Sequence, residues 1–140
     1  MDKKITKPNA SILIVEDDMI IGELYANSLT NLGYNVVWSR DGKSGLTAVL
    51  KQHFDVILLD ILMPEMSGDA MLEELRGKGE DKIPNTKVIV FTNSARSIDI
   101  SGIKKHADDY LIKADITPRQ LISRIEKLLS KSIQTDKISS

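Results

Sequence analysis

The strongest constraint on the fold is the repeated alternation of short apolar runs with longer stretches of helical spacing. Most of the runs lack polar alternation and are rich in β-branched residues, which is typical of parallel strands covered on both faces. Five such units with short links predict an α/β fold, a five-stranded parallel sheet with helices on both faces. The runs are SILIV (11–15), NVVWS (35–39), DVILLD (55–60), TKVIVFT (86–92) and DYLIK (109–113).

Helix-end signals accompany the stretches between these runs. Asp18 is predicted to cap the first helix and Gly33 to end it, while Thr117 caps the last helix and Pro118 opens it. The fourth helix, over residues 94–106, is predicted to be weak because poor helix formers interrupt it. The predicted apolar faces comprise Ile20, Ile21, Leu24, Tyr25, Leu29 and Leu32; Leu46, Val49 and Leu50; Met71, Leu72 and Leu75; and Leu121, Ile122, Ile125, Leu128 and Leu129.

Length and composition limit the function classes. The 140 residues suit one domain, and 19 basic against 20 acidic residues give a net charge of -1, so no direct contact with nucleic acid or membrane is expected. Without cysteine there is no disulfide or thiolate metal site. The charged start lacks the apolar run of a signal peptide, which favours a cytoplasmic protein.

Three segments follow from these patterns. Residues 1–10 are expected to be a disordered or extended arm, and residues 11–129 to form the domain. Residues 130–140 are expected to be a frayed polar tail, with no output domain.

Polar side chains stand where the predicted strands end. In open α/β sheets, ligands bind outside the carboxyl ends of the strands, so these residues are expected to meet at one rim. Clustered carboxylates repel one another, and Mg²⁺ is the cation that best suits a few carboxylates and retained waters. Each acid alone could instead be a helix cap or a solvated loop residue, but their joint arrangement favours a site. The residues are Glu16, Asp17 and Asp18 after the first run, Asp60 after the third, Thr92 after the fourth and Lys113 after the fifth.

The stretch VILLDILMPEMSG carries Asp60 to the end of the most hydrophobic run and then breaks at Pro64 and Gly68. A buried strand would hold Asp60 rigidly at the rim. The proline and glycine would turn the chain away and leave the carboxylate accessible.

Four motifs in order, ILIVEDD, VILLDILMPEMSG, VIVFTNSA and DDYLIK, resemble the receiver domain of bacterial two-component response regulators. The resemblance covers residues 11–129 and is that of a stand-alone, single-domain receiver. It implies the flavodoxin-like (βα)5 fold with strand order 2-1-3-4-5.

The resemblance also implies roles for the rim. Asp60 would be the phosphoacceptor, becoming an aspartyl phosphate. Asp17 and Asp60 would bind Mg²⁺ directly and Glu16 through water, with the backbone carbonyl of Leu62 as a further ligand.

The same resemblance places the phosphoryl contacts and the switch. Thr92, Lys113 and the backbone N–H of Asn93 would bind the phosphoryl oxygens. Thr92 and Tyr110 would then move and change the surface of the fourth helix, fifth strand and fifth helix. Exposed candidates on that surface are Lys104, Lys105 and Arg119.

Four residues depart from the common family pattern. Ala114 replaces the proline after Lys113, so no cis peptide is expected there. Asn93 is larger than the usual residue and is expected to narrow access to Asp60. His106 replaces a glycine at a helix end, where a left-handed conformation would be costly. Leu62 has no polar group to position water, which predicts slow hydrolysis of the phosphoryl group.

Three functions are compatible with these residues. The favoured function is a signalling switch, phosphorylated by a sensor histidine kinase or phosphotransfer protein and read by a downstream protein as a monomer or a phosphorylation-dependent dimer. It would catalyse its own phosphorylation and dephosphorylation and would not be an enzyme for a separate substrate. The alternatives are a pseudo-receiver that only binds partners, and a haloacid dehalogenase-type phosphatase, which Leu62 disfavours because it cannot serve as the second acid. His53 and Trp38 are given no function.

Overall fold

A five-stranded parallel sheet forms the centre of the structure, a computed structural model that describes residues 9–93 and 100–139. The strands are β1 (Ser11–Val15), β2 (Asn35–Ser39), β3 (Val56–Leu59), β4 (Lys87–Thr92) and β5 (Asp109–Ile112). The helices are α1 (Met19–Asn31), α2 (Gly42–Lys51), α3 (Gly68–Leu72), α4 (Ile100–His106) and α5 (Pro118–Ser139). A π-helical turn, Glu73–Gly77, continues α3, and a 3₁₀ turn, Lys113–Asp115, follows β5.

The strand order is β2-β1-β3-β4-β5, and all four strand pairs are parallel. This confirms the predicted α/β class and the order 2-1-3-4-5. In the central pairs Val15 lies opposite Leu59, and Leu59 lies opposite Val90. The carboxyl ends of β1, β3 and β4 therefore meet at one edge of the sheet.

Two apolar cores cover the two faces of the sheet. One core packs α1 and α5 against it, with Leu29, Leu121 and Ile125 inaccessible to solvent. The other core packs α2, α3 and α4 against the opposite face, with Met71 and Ile103 among the buried residues. Burial of each large aliphatic side chain contributes about 1.5–3 kcal/mol, so the sheet is held from both sides.

The predicted helix caps are confirmed. The Asp18 carboxylate accepts the backbone N–H groups of Ile20 and Ile21 at 2.9 and 3.1 Å. Gly33, with φ +99°, lies just beyond the end of α1. At the start of α5, the Thr117 hydroxyl accepts the N–H of Gln120 at 3.2 Å, and the Gln120 amide oxygen accepts the N–H of Thr117 at 2.8 Å.

The predicted apolar faces of α1 and α2 are partly wrong. Ile20 is 80% exposed and Leu50 is 72% exposed. Leu24 and Leu32 are also exposed. The face of α1 that meets the sheet is narrower than the apolar pattern, because the buried positions, Gly22, Tyr25 and Leu29, follow a single i, i+3, i+7 row.

The last helix runs to Ser139, ten residues beyond the end expected from its apolar pattern, since no glycine or proline interrupts residues 130–139. Residues 1–8 of the predicted arm and residues 94–99 of the predicted fourth helix lie outside the described residues. None of the helices in the described ranges has the length and apolar character needed to cross a membrane.

The π-helical turn carries a buried arginine that joins three segments. Arg76, with a side chain only 10% exposed, donates to the backbone carbonyls of Ile83, Thr86 and His106. It also forms an ion pair with Asp108 at 3.1 Å. The guanidinium thus ties the end of α3 to the segment before β4 and to the end of α4.

The expectation of a left-handed backbone at His106 is wrong. Among the described non-glycine residues, positive φ occurs at Asn9 and Glu65, whereas His106 is the last residue of α4. Its carbonyl is satisfied by the Arg76 guanidinium at 2.7 Å. A side-chain donor therefore serves this helix end, and a glycine there is not needed.

Arg76→Met should lower the free energy of unfolding by about 2–4 kcal/mol, because it leaves several partly buried carbonyls without a donor. Urea unfolding measures the change. Lys78→Met, which removes an exposed pair with Glu74 on the same turn, is the matched control and should remain close to the wild type. A loss no larger in Arg76→Met than in the control would contradict this account.

Candidate functional site

The carboxyl ends of four strands bring the predicted polar residues to one rim. Glu16 follows β1, Asp60 follows β3, Thr92 ends β4 and Lys113 follows β5. The backbone N–H of Asp60 donates to the carbonyl of Val15 at 3.0 Å, which extends the β1–β3 pairing to the first rim residues. The sheet register therefore sets the distance between the acidic residues.

Three carboxylates converge at this rim. One oxygen each from Glu16, Asp17 and Asp60 lies within 4.8 Å of the others. Glu16 and Asp60 are 2% and 5% exposed, whereas Asp17 is more accessible. Oxygen donors at this spacing suit a hard cation, and Mg²⁺ needs only one or two carboxylates together with waters.

Lys113 brings one positive charge to the three carboxylates at the rim. Its Nζ donates to Glu16 Oε1 at 2.7 Å and to Asp60 Oδ2 at 3.3 Å, and its side chain is 8% exposed. Three carboxylates against one ammonium leave the cluster negative. The residues present therefore fit a bound divalent cation, which would be held by Asp17, Asp60 and Glu16.

Burial and the neighbouring charges change the pKa of the Glu16 carboxyl. Burial raises the pKa of the Glu16 carboxyl from 4.5 to about 7, and the nearby Asp60 charge adds to this increase. The hydrogen bond and charge of Lys113, together with the N–H of Asp18 at 3.1 Å, oppose it. A cation bound at the rim would favour the ionised form of Glu16.

Access to Asp60 is smaller than predicted. The sequence predicts a carboxylate that is open to solvent, but Lys113 donates to Oδ2 and the backbone N–H of Ile61 donates to Oδ1 at 2.8 Å. Both oxygens thus already have donors.

The loop between β3 and α3 is held in place by two glycines. A Cβ on Gly68 would lie 2.0 Å from the Asp60 carbonyl oxygen, so only glycine allows this approach. The N–H of Gly42, at the start of α2, donates to the carbonyl of Met66 at 2.9 Å, and a Cβ there would meet the same oxygen. Glu65, in the loop between Asp60 and Gly68, adopts a left-handed φ of +66°. These contacts set the path of the loop after Asp60.

Two buried hydroxyls on the neighbouring strands β4 and β5 have no hydrogen-bond partner within the described ranges, Thr92 Oγ1 and Tyr110 OH. Thr92 is 1% exposed on β4, and Tyr110 is half-buried on neighbouring β5. Burial raises the pKa of the Tyr110 phenol above its usual value. A buried unsatisfied hydroxyl lowers the stability of the folded state by about 1–3 kcal/mol, so a new hydrogen-bond partner at either group would be favourable.

The structure brings Glu16, Asp17, Asp60 and Lys113 together and places Thr92 at the same rim. Leu62 lies in the loop after Asp60 and is 57% exposed, and its role as a carbonyl ligand stays a prediction. The role of the Asn93 N–H also stays a prediction, and the residue is exposed. As expected from Ala114, no cis peptide occurs in the described segments.

Sequence reasoning missed one contact with the rim. Trp38 on β2, to which the sequence pattern assigns no function, donates its indole N–H to the Glu16 carbonyl at 2.9 Å. A signal for it was present: Gly22 lies inside α1, where glycine weakens a helix by about 1 kcal/mol relative to alanine. Such a glycine can mark the close approach of a large group.

The sheet order and the acidic rim define a flavodoxin-like α/β domain with a candidate cation site. The sequence profile of the response regulator receiver domain matches residues 12–126. The chain therefore belongs to the response regulator receiver domain family, whose members act in two-component signalling.

Known proteins agree with this assignment. The transcriptional regulatory protein QseB of Escherichia coli O157:H7 is 31% identical over 121 residues, which are 86% of this chain and 53% of QseB. The chain spans about half the length of the curated relatives it matches.

Solved structures show the same fold. A CheY-like receiver domain protein from Methanospirillum hungatei is 30% identical with a TM-score of 0.77, covering 90% of this chain and 98% of its own. The response regulator TrrA of Thermotoga maritima, solved in complex with Mg²⁺-BeF, is 29% identical with a TM-score of 0.73, covering 86% of this chain and 99% of its own.

In metal-free protein, the contribution of Glu16 to the free energy of unfolding should fall as the pH rises from about 4.5 to about 7. In this window the folded state keeps a proton on Glu16 that the unfolded state has lost, because the pKa of Glu16 is raised on folding. Urea unfolding in the presence of EDTA, at several pH values across the window, measures the slope. Glu16→Gln should make the slope less negative, and an unchanged slope in that variant would contradict the assignment.

Proposed function

We propose that Asp60 accepts a phosphoryl group from a phosphohistidine of a sensor kinase or phosphotransfer protein. The observation that carries this proposal is the buried contact of Lys113 with both Glu16 and Asp60, beside the third carboxylate of Asp17. A lysine and three carboxylates converge where a strand ends, so charge can be neutralised on both sides of a transferred phosphoryl group.

The transfer forms a bond between an Asp60 carboxylate oxygen and phosphorus. The bond between phosphorus and the donor histidine nitrogen breaks, and the imidazole leaves with the electron pair of that bond. Lys113 turns from the carboxylates to the phosphoryl oxygens and stabilises their charge. Asp17, Asp60 and Glu16, with the Leu62 carbonyl as a further proposed ligand, would hold Mg²⁺, which would supply further charge neutralisation and orientation.

The chain acts as a phosphoacceptor and not as an enzyme for a separate substrate. It promotes its own phosphorylation and the later hydrolysis of the aspartyl phosphate, so its state depends on the balance of the two rates. A phosphoryl group adds about -1.5 to -2 charge and three strong acceptors at the rim. That change is large enough to reorganise neighbouring side chains.

The buried hydroxyl of Thr92 is the group that senses the modification. It donates to no acceptor in the described part of the chain, so a phosphoryl oxygen gives it a partner and draws it toward Asp60. Tyr110, on the neighbouring strand, moves into the vacated space. Lys104 contacts the Tyr110 ring at 5.6 Å and is exposed on α4, so this movement reaches the surface formed by α4, β5 and α5.

A downstream protein reads that surface, as a complex with a monomer or with a phosphorylation-dependent dimer of this chain. Lys104, Lys105 and Arg119 are exposed there. With a net charge of -1, the chain has no overall attraction to nucleic acid, so a protein is the proposed partner.

Incubation with acetyl phosphate should add one phosphoryl group to the wild type in the presence of Mg²⁺. Intact mass measures the gain. Asp60→Asn should abolish it because the nucleophilic carboxylate is lost, whereas Asp69→Asn, which changes a nearby aspartate in the first turn of α3, should leave it intact. A gain that persists in Asp60→Asn, or no gain with any small donor, would refute the proposal.

The phosphoryl group should have a longer half-life in the wild type than in Leu62→Asn. Leucine at this exposed position offers no hydrogen bond to an attacking water, whereas asparagine does. Decay of the phosphorylated mass after removal of the donor measures the half-life. Leu62→Met keeps the size without the amide and should behave as the wild type. Equal half-lives in the wild type and in Leu62→Asn would exclude this explanation.

A further inference from the structure

Trp38 contacts the acidic rim from outside the set of residues that the proposed function uses. It lies on edge strand β2, opposite Ile14 of β1. Its indole N–H donates to the backbone carbonyl of Glu16 at 2.9 Å. The chain has one tryptophan, so this donor is unique in the sequence.

The indole ring of Trp38 packs directly against Gly22 of α1. A Cβ on Gly22 would lie 2.1 Å from Trp38 Cζ2 and 2.6 Å from Nε1, so the ring occupies the space that any other residue at position 22 would fill. The Arg40 guanidinium lies 5.8 Å from the ring centroid. A ring seated against α1 loses rotamer freedom, and its N–H is directed at the Glu16 carbonyl.

Two hydrogen bonds from β2 hold the backbone of Glu16. The Glu16 N–H donates to the Ser39 carbonyl at 3.0 Å, and the Glu16 carbonyl accepts from Trp38, so β2 holds both ends of this residue. The side-chain oxygens have separate partners, Lys113 and the N–H of Asp18. Glu16 is therefore fixed in both its backbone and its side chain.

These two hydrogen bonds also influence the position of Asp17, through the peptide bond that joins it to Glu16. The Glu16 carbonyl and the N–H and Cα of Asp17 lie in one plane, so fixing that carbonyl fixes the direction in which the chain leaves toward Asp17. Asp17 is the most accessible of the three clustered carboxylates, and it joins Glu16 to the Asp18 cap of α1. Its position depends on the backbone on either side.

We propose that Trp38 is a positioning residue, whose indole N–H holds the Glu16–Asp17 peptide so that the Asp17 carboxylate faces Asp60 and completes the Mg²⁺ site. The inference rests on the proposed function, since it assigns Trp38 to the same cation. It differs from a packing role because packing requires the ring alone, whereas positioning requires the N–H.

The test separates the ring from the N–H. Trp38→Phe removes the donor and shortens the ring. Replacement of the sole tryptophan by benzothienylalanine keeps the bicyclic shape and removes only the N–H. Val36→Ala, which trims a half-buried side chain on the same face of β2 without touching Glu16, is the control for general weakening of the strand. Urea unfolding establishes that each variant is folded.

Mg²⁺ binding by isothermal titration calorimetry is the main readout. The two Trp38 replacements should raise the Mg²⁺ dissociation constant about 3- to 10-fold, in the range expected for loss of one hydrogen bond that orients a metal ligand. Val36→Ala should stay within about twofold of the wild type. Unchanged Mg²⁺ affinity in the folded benzothienylalanine protein would overturn the inference, as would an equal loss in Val36→Ala.

A second readout follows the donor itself. Because the chain has one tryptophan, its indole N–H gives one NMR signal, which should shift on Mg²⁺ addition in the wild type and not in Asp17→Asn. If Mg²⁺ binds the wild type but leaves the indole signal unchanged, the proposed role of Trp38 is contradicted while the cation site itself is not. A wild type that binds no Mg²⁺ would refute the proposed cation site, and the role of Trp38 with it.

Discussion

The contact of Lys113 with Glu16 and Asp60 is the interaction on which the site depends. Two buried carboxylates beside a third would repel one another strongly, and the ammonium at 2.7 and 3.3 Å is what allows them to share the rim. Buried ion pairs of this kind contribute little net stability, because desolvation offsets the attraction. The stability of the domain therefore comes mainly from its two apolar cores.

The rest of the structure serves to hold that rim in place. The β1–β3 register sets Glu16 beside Asp60, and Gly68 brings the following loop against the Asp60 carbonyl. At the first strand of this rim, Trp38 donates its indole N–H to the backbone carbonyl of Glu16, next to Asp17. Next to this rim, the buried Thr92 hydroxyl has no hydrogen-bond partner within the described residues.

The features predicted well from the sequence are those with local signals. Strand runs, the Asp18 and Thr117 caps and the Gly33 stop each depend on a few consecutive residues, and the structure confirms them. The strand order came from the family resemblance, since alternation alone gives only the class. The meeting of the rim residues followed from the parallel sheet, in which all strands end at the same edge.

The features predicted poorly depend on contacts between distant segments. The exposure of Ile20 and Leu50 depends on how each helix is rotated on the sheet, which the apolar pattern does not determine. The coverage of Asp60 depends on Lys113, 53 residues away in the sequence. His106 avoids a left-handed backbone because Arg76, 30 residues earlier, satisfies its carbonyl.

A crystal structure with Mg²⁺ and beryllofluoride would show whether the rim binds a phosphoryl group and its cation. We expect beryllium bonded to an Asp60 oxygen and Mg²⁺ at about 2.1 Å from oxygens of Asp17 and Asp60. We also expect that Lys113 Nζ moves from Glu16 to a fluorine and that Thr92 Oγ1 gains its missing partner. Beryllofluoride absent from Asp60, or bound there while Lys113 stays on Glu16, would contradict the account.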